Sequence, residues 1–359
     1  MINKSRISDF RIHLKKQKFT GFIIPRQDEF QGEYVAPYAE RLKWLTGFAG
    51  SWGMAILTLT KGAIFVDGRY TIQVRQQVDT KVFTPHHLVD EPPTTWIENN
   101  LKKGDVLGYD PWLMTADQAD RFSAACAKVG AKLKAATSNP IDAIWTDQPP
   151  RPVAQLSVQP LQFAGQSLAD KLAMASKALG KADATVLTMP DSVAWVFNIR
   201  GHDVPYTPVV LAYAILKKTG KADLFIDKNR LPEDVRAHLK KSVTIKRPAE
   251  LEAALKALGK SRSTVQVDIN WTPARIKSVL EKSGSKLMNA NDICRLPKAK
   301  KNATEQEGAR AAHRRDGVAM SRFLCWLESA APEGNLTEWS VAEKLESFRK
   351  DTGMLLDLS

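Results

Sequence analysis

The chain has 359 residues, 43% of them hydrophobic, and a formal net charge of +13 at pH 7. This length allows two or three globular domains with substantial cores. The longest apolar stretches, such as residues 209–216, fall well short of the roughly 20 residues of a membrane-spanning helix, and the first residues carry no secretory signal. We therefore expect a soluble protein without a membrane partner.

Charge and cysteine content exclude further classes of protein. Much of the positive charge lies in lysine-rich linkers and on helix faces, and no zinc finger, aromatic RNA-binding motif or basic zipper accompanies it. The three cysteines, Cys126, Cys294 and Cys325, are too few and too scattered for a disulfide framework or a zinc cluster. We expect no nucleic-acid partner, reduced thiols and a cytoplasmic location.

Two parts of the chain repeat one order of predicted elements. An apolar strand leads into a Pro and an acidic residue, two further strands follow around a Lys-Gly or Gly-Lys turn, and later a strand precedes a helix. The clearest match is a strand followed by Asp, Trp, Thr and a helix, found at Asp110, Trp112 and Thr115 and again at Asp268, Trp271 and Thr272. In the second helix Ile276, Val279 and Leu280 form an apolar stripe. The repeat predicts two related α/β domains, residues 1–140 and 141–300.

Two joints and a third segment complete the predicted organisation. Four prolines in residues 138–152 interrupt regular structure, and residues 296–307 resemble a basic linker that leads into a helix. Residues 301–359 predict two helices that begin with capping boxes at Thr304 and Ser340. Their apolar stripes are Met320, Phe323, Leu324 and Leu327, then Val341, Leu345 and Phe348. Gly353 ends the second helix, and a further strand is expected from Met354.

The residues offer little recognisable catalytic chemistry. No set of His and carboxylate residues suggests a metal site: His86 and His87 are adjacent in an extended segment and point to opposite faces, and His202-Asp203 is typical of a loop anchor. Ser51 and Ser192 lack the G-x-S-x-G motif of many serine hydrolases.

One polar cluster stands out, the sequence F-V-D-G-R-Y at residues 65–70. A buried strand is predicted to end at Asp67-Gly68, so that the following turn presents Arg69 and Tyr70. An arginine can hold a carboxylate or a carbonyl with its fork of N–H donors. A simple surface hairpin turn would give the same pattern.

Several of these stretches resemble one family. Residues 33–57 (EYVAPYAERLKWLTGFAGSWGMAIL), 63–70 (AIFVDGRY) and 191–208 (DSVAWVFNIRGHDVPYTP) resemble the long, three-domain form of Xaa-Pro aminopeptidase, also called aminopeptidase P. In that family two creatinase-type N-terminal domains precede a catalytic domain of the pita-bread fold. The resemblance thus implies an α/β fold with two tandem creatinase-N-type domains, followed in residues 301–359 by the first helices of a truncated pita-bread domain.

The resemblance also implies a function. The family consists of dinuclear, usually manganese, peptidases that remove the first residue of a peptide when proline is second. Its metal ligands, two Asp, one His and two Glu, all follow the motif that begins at Leu356 here. We therefore expect a truncated chain that binds neither of the two Mn²⁺ ions and is inactive by itself.

The resemblance assigns a binding role, not a catalytic one, to residues of this chain. Of the family's peptide-contacting residues only the Arg of the D-G-R-Y turn has a counterpart, which makes Arg69 the expected substrate-binding residue, with Asp67 and Tyr70 as its supports. The expected partners are peptides with proline at the second position, and a homodimer is possible. The alternative is a complete, non-catalytic two-domain module that binds peptides or protein partners.

Overall fold

The first part of the chain forms a six-stranded α/β unit, seen in a computed structural model that describes residues 4–353. Its strands are β1 (Gly21–Pro25), β2 (Met54–Thr58), β3 (Gly62–Val66), β4 (Thr84–His87), β5 (Val106–Tyr109) and β6 (Lys132–Ala135). Its helices are α1 (Lys4–Lys16), α2 (Arg41–Thr46), α3 (Gln73–Gln77), α4 (Pro93–Asn100) and α5 (Ala116–Lys128). All residues of β1, β2 and β3 are buried, because side chains cover both faces of this sheet.

The second unit contains eight strands and seven helices. The strands are β7 (Ser157–Val158), β8 (Ala184–Leu187), β9 (Ile199–Arg200), β10 (Tyr213–Lys217), β11 (Ala222–Phe225), β12 (Val243–Lys246), β13 (Thr264–Val267) and β14 (Lys286–Asn289). The helices are α6 (Leu161–Ala164), α7 (Leu168–Ala178), α8 (Pro190–Phe197), α9 (Glu233–Leu239), α10 (Leu251–Lys260), α11 (Ala274–Ser283) and α12 (Arg295–Ala299). Strands β7 and β9 pair only with each other, and the other six form one sheet.

The two six-stranded sheets share one topology, as the repeat predicts. The first has the order β4-β3-β2-β1-β5-β6 and the second β12-β11-β10-β8-β13-β14. In the first sheet the neighbours β1, β2 and β3 pair antiparallel, and the pairs β3-β4, β1-β5 and β5-β6 are parallel. The second sheet repeats this pattern: β8, β10 and β11 pair antiparallel, and the other three pairs are parallel. The predicted fold class, two tandem related α/β domains, is confirmed.

The repeated segments before α5 and α11 pair with each other across the two units. The N–H of Ala116 donates to Thr272 O at 2.8 Å, and reciprocally the N–H of Ala274 donates to Met114 O at 2.9 Å. Thr115 and Pro273 form the β-bridge between these bonds. Thr115 caps α5, accepting from the N–H of Gln118, whereas no side chain caps α11. In the structure the position equivalent to Thr115 is therefore Pro273, one residue after the Thr272 that the sequence repeat aligned with it.

Side chains on both faces of each sheet form the hydrophobic cores, and a loop of the first unit packs into one core of the second unit. In the second unit the predicted stripe of Ile276, Val279 and Leu280 is buried, as expected for a helix that packs on a sheet. Loop residues Phe30, Val35, Ala36, Tyr38 and Ala39 of the first unit belong to this same core. Packing of this loop therefore connects the two units.

The predicted joints are only partly regular. Residues 138–152 form neither helix nor strand, as their prolines predict, yet Ile141 and Trp145 lie in the core of the first unit. The second predicted joint contains the short helix α12 and leads into a longer helix that begins at Ala303. The domain limits at residues 140 and 300 stay predictions.

The third segment forms the two predicted helices, α13 (Ala303–Ala330) and α14 (Glu338–Lys350), but both capping residues differ from those expected. Asn302, not Thr304, caps α13: it accepts from Glu305 N at 2.9 Å, and its amide also donates to Ala164 O at 2.8 Å. Thr337, not Ser340, caps α14, because it accepts from Ser340 N at 3.1 Å. In each case an overlapping cap pattern begins earlier and lengthens the helix.

The two long helices pack on each other. Arg349 pairs with Asp316 at 2.6 Å, and the guanidinium of Arg322 lies 4.8 Å from the ring centroid of Phe348. Phe323 of the predicted stripe is buried, whereas Leu324 is exposed, so the stripe is narrower than expected. Gly353 takes the predicted left-handed conformation with φ +65°. The strand expected from Met354 lies outside the described residues.

Candidate functional site

The end of β3 builds the predicted Asp67–Arg69–Tyr70 cluster. After Val66 the chain enters a short 3₁₀ turn, and the Asp67 carboxylate accepts from the backbone N–H of Arg69 at 3.0 Å. The side chain of Arg69 returns to the same carboxylate, with Nε at 3.1 Å from Oδ1 and Nη2 at 2.8 Å from Oδ2. This fork-like pairing fixes the guanidinium over its own turn.

Arg69 remains accessible in this arrangement. Its side chain is 60% exposed, and within residues 4–353 no hydrogen bond uses its Nη1. The hydrogen bonds from Arg69 hold the pKa of Asp67 below its ordinary value, so the pair stays ionised at neutral pH. The outer edge of the guanidinium can therefore donate to a carbonyl or a carboxylate of a bound molecule.

Tyr70 supports the turn from the other side. Its hydroxyl lies 2.7 Å from Ser51 Oγ, and its ring packs edge-on against buried Phe48 with 5.6 Å between centroids. The guanidinium of Arg69 lies 5.1 Å from the Tyr70 ring centroid, within the range of a cation–π contact. The hydrogen bond with Ser51 lowers the pKa of Tyr70. Tyr70 thus links Arg69 to the core of the first unit.

Arg69 lies in a cleft between the two units. The cleft has a volume of about 330 Å³ and includes two tryptophans, Trp52 of the first unit and Trp271 of the second. The buried Gln27, whose Oε1 has no hydrogen-bond partner among the described residues, also lines it. One cationic donor beside two indole rings suits a peptide segment, whose carbonyls and side chains could contact both.

Of the other candidates weighed from the sequence, Ser51 lines the same cleft as Arg69, whereas Ser192 and the histidines do not. His86 and His87 are consecutive residues of strand β4 and lie against the carboxylates of Glu91 and Asp90 respectively. Asp203 is an anchor, as predicted, through a buried ion pair with Arg230. Within residues 4–353 no group of three or more His, Cys, Asp or Glu side chains could hold a metal ion.

Sequence reasoning missed a buried polar stretch directly after β1. Arg26, Gln27, Asp28, Glu29 and Gln31 are all buried although each is polar or charged. Asp28 Oδ1 accepts from the N–H groups of Phe30 at 3.0 Å and Gly32 at 3.1 Å. Burial, together with the charge of Glu29, raises the pKa of Asp28 to about 7. The signal was a polar run that immediately follows an apolar strand and leads into a loop with a large aromatic residue.

Comparison with protein families now identifies the two units. Residues 6–144 match a family model described as a creatinase/prolidase N-terminal domain, and residues 147–305 match a second model with the same description. The chain therefore contains two creatinase/prolidase N-terminal domains in tandem. The first of these N-terminal domains supplies Asp67, Arg69 and Tyr70, and the second supplies Trp271 on the opposite side of the cleft.

Relatives that match nearly the whole chain are named as aminopeptidases. The chain is 35% identical over 99% of its length to a probable Xaa-Pro aminopeptidase P of Paracoccidioides lutzii, and 35% identical over 99% to one of Pyrenophora teres f. teres. It covers 60% and 56% of these relatives. A crystal structure of X-prolyl aminopeptidase from Caenorhabditis elegans, described as a cytosolic enzyme with a di-nuclear active site, superposes with a TM-score of 0.89 at 28% identity. That match covers 96% of this chain and 59% of the other.

These similarities confirm the expected relationship to Xaa-Pro aminopeptidase P. The chain spans about 60% of the length of the curated relatives it matches. None of the helices in residues 4–353 combines the length and the apolar character that crossing a bilayer requires.

Proposed function

We propose that this chain is the N-terminal part of an aminopeptidase that removes the residue preceding a proline. The observation that carries the proposal is similarity to Xaa-Pro aminopeptidase P over 99% of the chain. The accessible edge of Arg69 in the cleft between the two domains supports a role in peptide binding. The partners in this proposal are peptides with proline at the second position, and the proposed location is the cytoplasm.

The chemistry of the substrate explains why a donor such as Arg69 is useful. The peptide bond before proline has a carbonyl but no N–H. At this bond a peptide with proline second can therefore only accept a hydrogen bond, whereas other peptides can also donate one. Arg69 Nη1 donates to such a carbonyl or to the C-terminal carboxylate of a short peptide, while Asp67 keeps the guanidinium in place. Arg69 therefore binds and orients the peptide and takes no part in proton transfer.

In the complete enzyme the catalytic metals would be held by residues outside 4–353. The complete enzyme would hold two metal ions, which we propose to be Mn²⁺, and bound metals would supply an activated water and polarise the scissile carbonyl. No set of donors in residues 4–353 fits such ions. We therefore propose that residues 4–353 supply no catalytic metal ligand and that the chain is inactive alone.

Replacing Arg69 tests the binding role. Joined to the portion of the Paracoccidioides lutzii relative that this chain does not match, the chain should give an active chimeric enzyme. In it Arg69→Ala should raise KM for an Xaa-Pro tripeptide roughly tenfold, because one hydrogen bond from a charged group to the peptide is lost. Steady-state kinetics with manganese present measures the change.

A matched variant separates binding from general effects of removing an arginine. Arg121 is exposed to a similar degree and also pairs with a nearby aspartate, Asp117, but it does not line the cleft. Arg121→Ala should leave KM unchanged. Equal KM values for the two variants and the parent chimera would show that Arg69 does not contribute to peptide binding.

A further inference from the structure

A second and larger cavity lies between the two domains. Its volume is about 560 Å³, and both domains line it together with residues 151–153 of the segment that connects them. It shares no lining residue with the cleft that contains Arg69. Small-molecule sites commonly occupy cavities of this size at domain interfaces. The peptide-binding role of Arg69 leaves this cavity without a function.

One wall of the cavity is aromatic. Tyr213 lies at its centre, with the ring of Phe30 at 4.9 Å and the ring of Trp112 at 6.1 Å between centroids. All three side chains line the cavity, and they come from both domains. Such a wall gives a large apolar contact area to a ligand with an aliphatic or aromatic side chain.

Two charged side chains in the walls each retain an atom without a partner. Glu29, whose side chain is 9% exposed, pairs with Arg151 through Oε1, while its Oε2 has no hydrogen-bond partner among the described residues. Arg41, whose side chain is 7% exposed, holds Asp142 with Nε at 2.7 Å and Nη2 at 3.0 Å, while its Nη1 has no such partner. A buried polar atom without a partner is costly, so a ligand that supplies the missing hydrogen bonds gains affinity.

The charge balance of the walls restricts the ligand. Each arginine that lines the cavity already has an acidic partner: Arg41 with Asp142, Arg151 with Glu29, and Arg230 with Asp203. Asp110 and Asp227 line the cavity as well, so its walls carry an acidic excess. An anionic ligand would add to this excess, and a purely cationic ligand would leave Arg41 Nη1 without an acceptor. A zwitterion satisfies both unpartnered atoms and adds no net charge.

We propose that this cavity binds an apolar α-amino acid, free or at the ends of a dipeptide, in its zwitterionic form. Both unpartnered atoms are buried behind the cavity wall, so binding includes a small rotation of each side chain toward the cavity. The ammonium group then donates to Glu29 Oε2 and the carboxylate accepts from Arg41 Nη1, while the ligand's side chain packs against Phe30, Trp112 and Tyr213. Burial lowers the pKa of Arg41, but its hydrogen bond and charge pairing with Asp142, together with the charges of Glu29 and Asp110, outweigh burial and keep the guanidinium protonated.

Binding of defined probes to the 359-residue chain tests the ligand class. The probes are L-phenylalanine, L-leucine and L-alanyl-L-phenylalanine, none of which has proline second. At least one should bind saturably at concentrations up to about 10 mM in calorimetry. 3-Phenylpropionate, which lacks the ammonium group, and phenethylamine, which lacks the carboxylate, should bind at least roughly tenfold more weakly than L-phenylalanine. Absence of binding by all three zwitterions, or equal binding of L-phenylalanine and its two analogues, would overturn the proposal.

Two variants place the ligand in this cavity. Glu29→Gln removes the anionic acceptor and should weaken zwitterion binding at least roughly tenfold. Val153→Trp places a large ring at the mouth, where Val153 is exposed and the fold has little to lose. It should also weaken binding, whereas Val89→Trp, at an equally exposed position outside the cavity, should not. Unchanged affinity in Val153→Trp would overturn the proposed location even if Glu29→Gln failed to fold.

Discussion

Asp203→Ala is expected to lower the free energy of unfolding by about 3–5 kcal/mol, the effect of removing one partner of a buried ion pair. Asp203 is fully buried, and the side chain of Arg230 is only 7% exposed. Arg230 Nη2 lies 2.6 Å from Asp203 Oδ1, and its Nε donates to Ala154 O at 3.0 Å. Asp203 also accepts from the N–H of Leu211 at 3.2 Å. Its removal leaves a guanidinium without a counter-charge inside the second domain.

An exposed pair provides the control for this prediction. Asp120 pairs with Lys277 at 2.6 Å, but its side chain is largely exposed, so Asp120→Ala should change stability by no more than about 1 kcal/mol. Urea unfolding followed by circular dichroism compares the two variants with the parent chain. If Asp203→Ala were no less stable than Asp120→Ala, the buried pair would not anchor this loop.

Asp28→Asn is expected to stabilise the protein at neutral and alkaline pH. Burial and the charge of Glu29 raise the pKa of Asp28 from 3.8 to about 7, so the folded state binds the proton more tightly than the unfolded chain. The free energy of unfolding therefore falls as the pH rises from about 4 to about 7. At about 1.36 kcal/mol per pKa unit, the cost of ionised Asp28 is on the order of 4 kcal/mol above pH 7. Asparagine is neutral at every pH and avoids this cost.

The pH dependence and a second variant test the cause. Asp28→Asn should match the parent near pH 4, where Asp28 is protonated, and exceed it increasingly up to pH about 7. Its carbonyl can still accept from the N–H groups of Phe30 and Gly32, which Asp28→Ala would leave unpaired. The alanine variant should therefore be less stable than the asparagine variant by about 1–3 kcal/mol. A constant difference between Asn and Asp from pH 4 to pH 8 would contradict the raised pKa.

Local sequence signals predicted most of the fold. The predicted apolar stripe of Ile276, Val279 and Leu280 is buried, because helical periodicity depends on residues only a few positions apart. The start of α13 was misplaced because the N-x-x-E pattern at Asn302 overlaps the T-x-x-E pattern at Thr304. Asn302 also donates to Ala164 O, far away in the sequence, and this contact favours the earlier cap.

The candidate site was likewise predictable only where its contacts are local in the sequence. The F-V-D-G-R-Y turn gave the position of Arg69 and its pairing with Asp67, since both are local. The cleft itself was not predictable, because Trp52 and Trp271 come from different domains. The raised pKa of Asp28 arises from burial and from the charge of Glu29. The burial of this polar stretch was not predictable, because Phe30 beside it packs into the core of the second domain and no local pattern encodes that contact.

The most direct test of the proposed function measures release of the first residue from Xaa-Pro and matched Xaa-Ala tripeptides with Mn²⁺ present. It compares the 359-residue chain with the chimera that adds the remaining portion of the Paracoccidioides lutzii relative. The account predicts no release by the chain alone and, from the chimera, release from the Xaa-Pro peptide in clear preference to the Xaa-Ala peptide. Metal-dependent release by the chain alone, or a chimera that cleaves both peptides equally well, would contradict it.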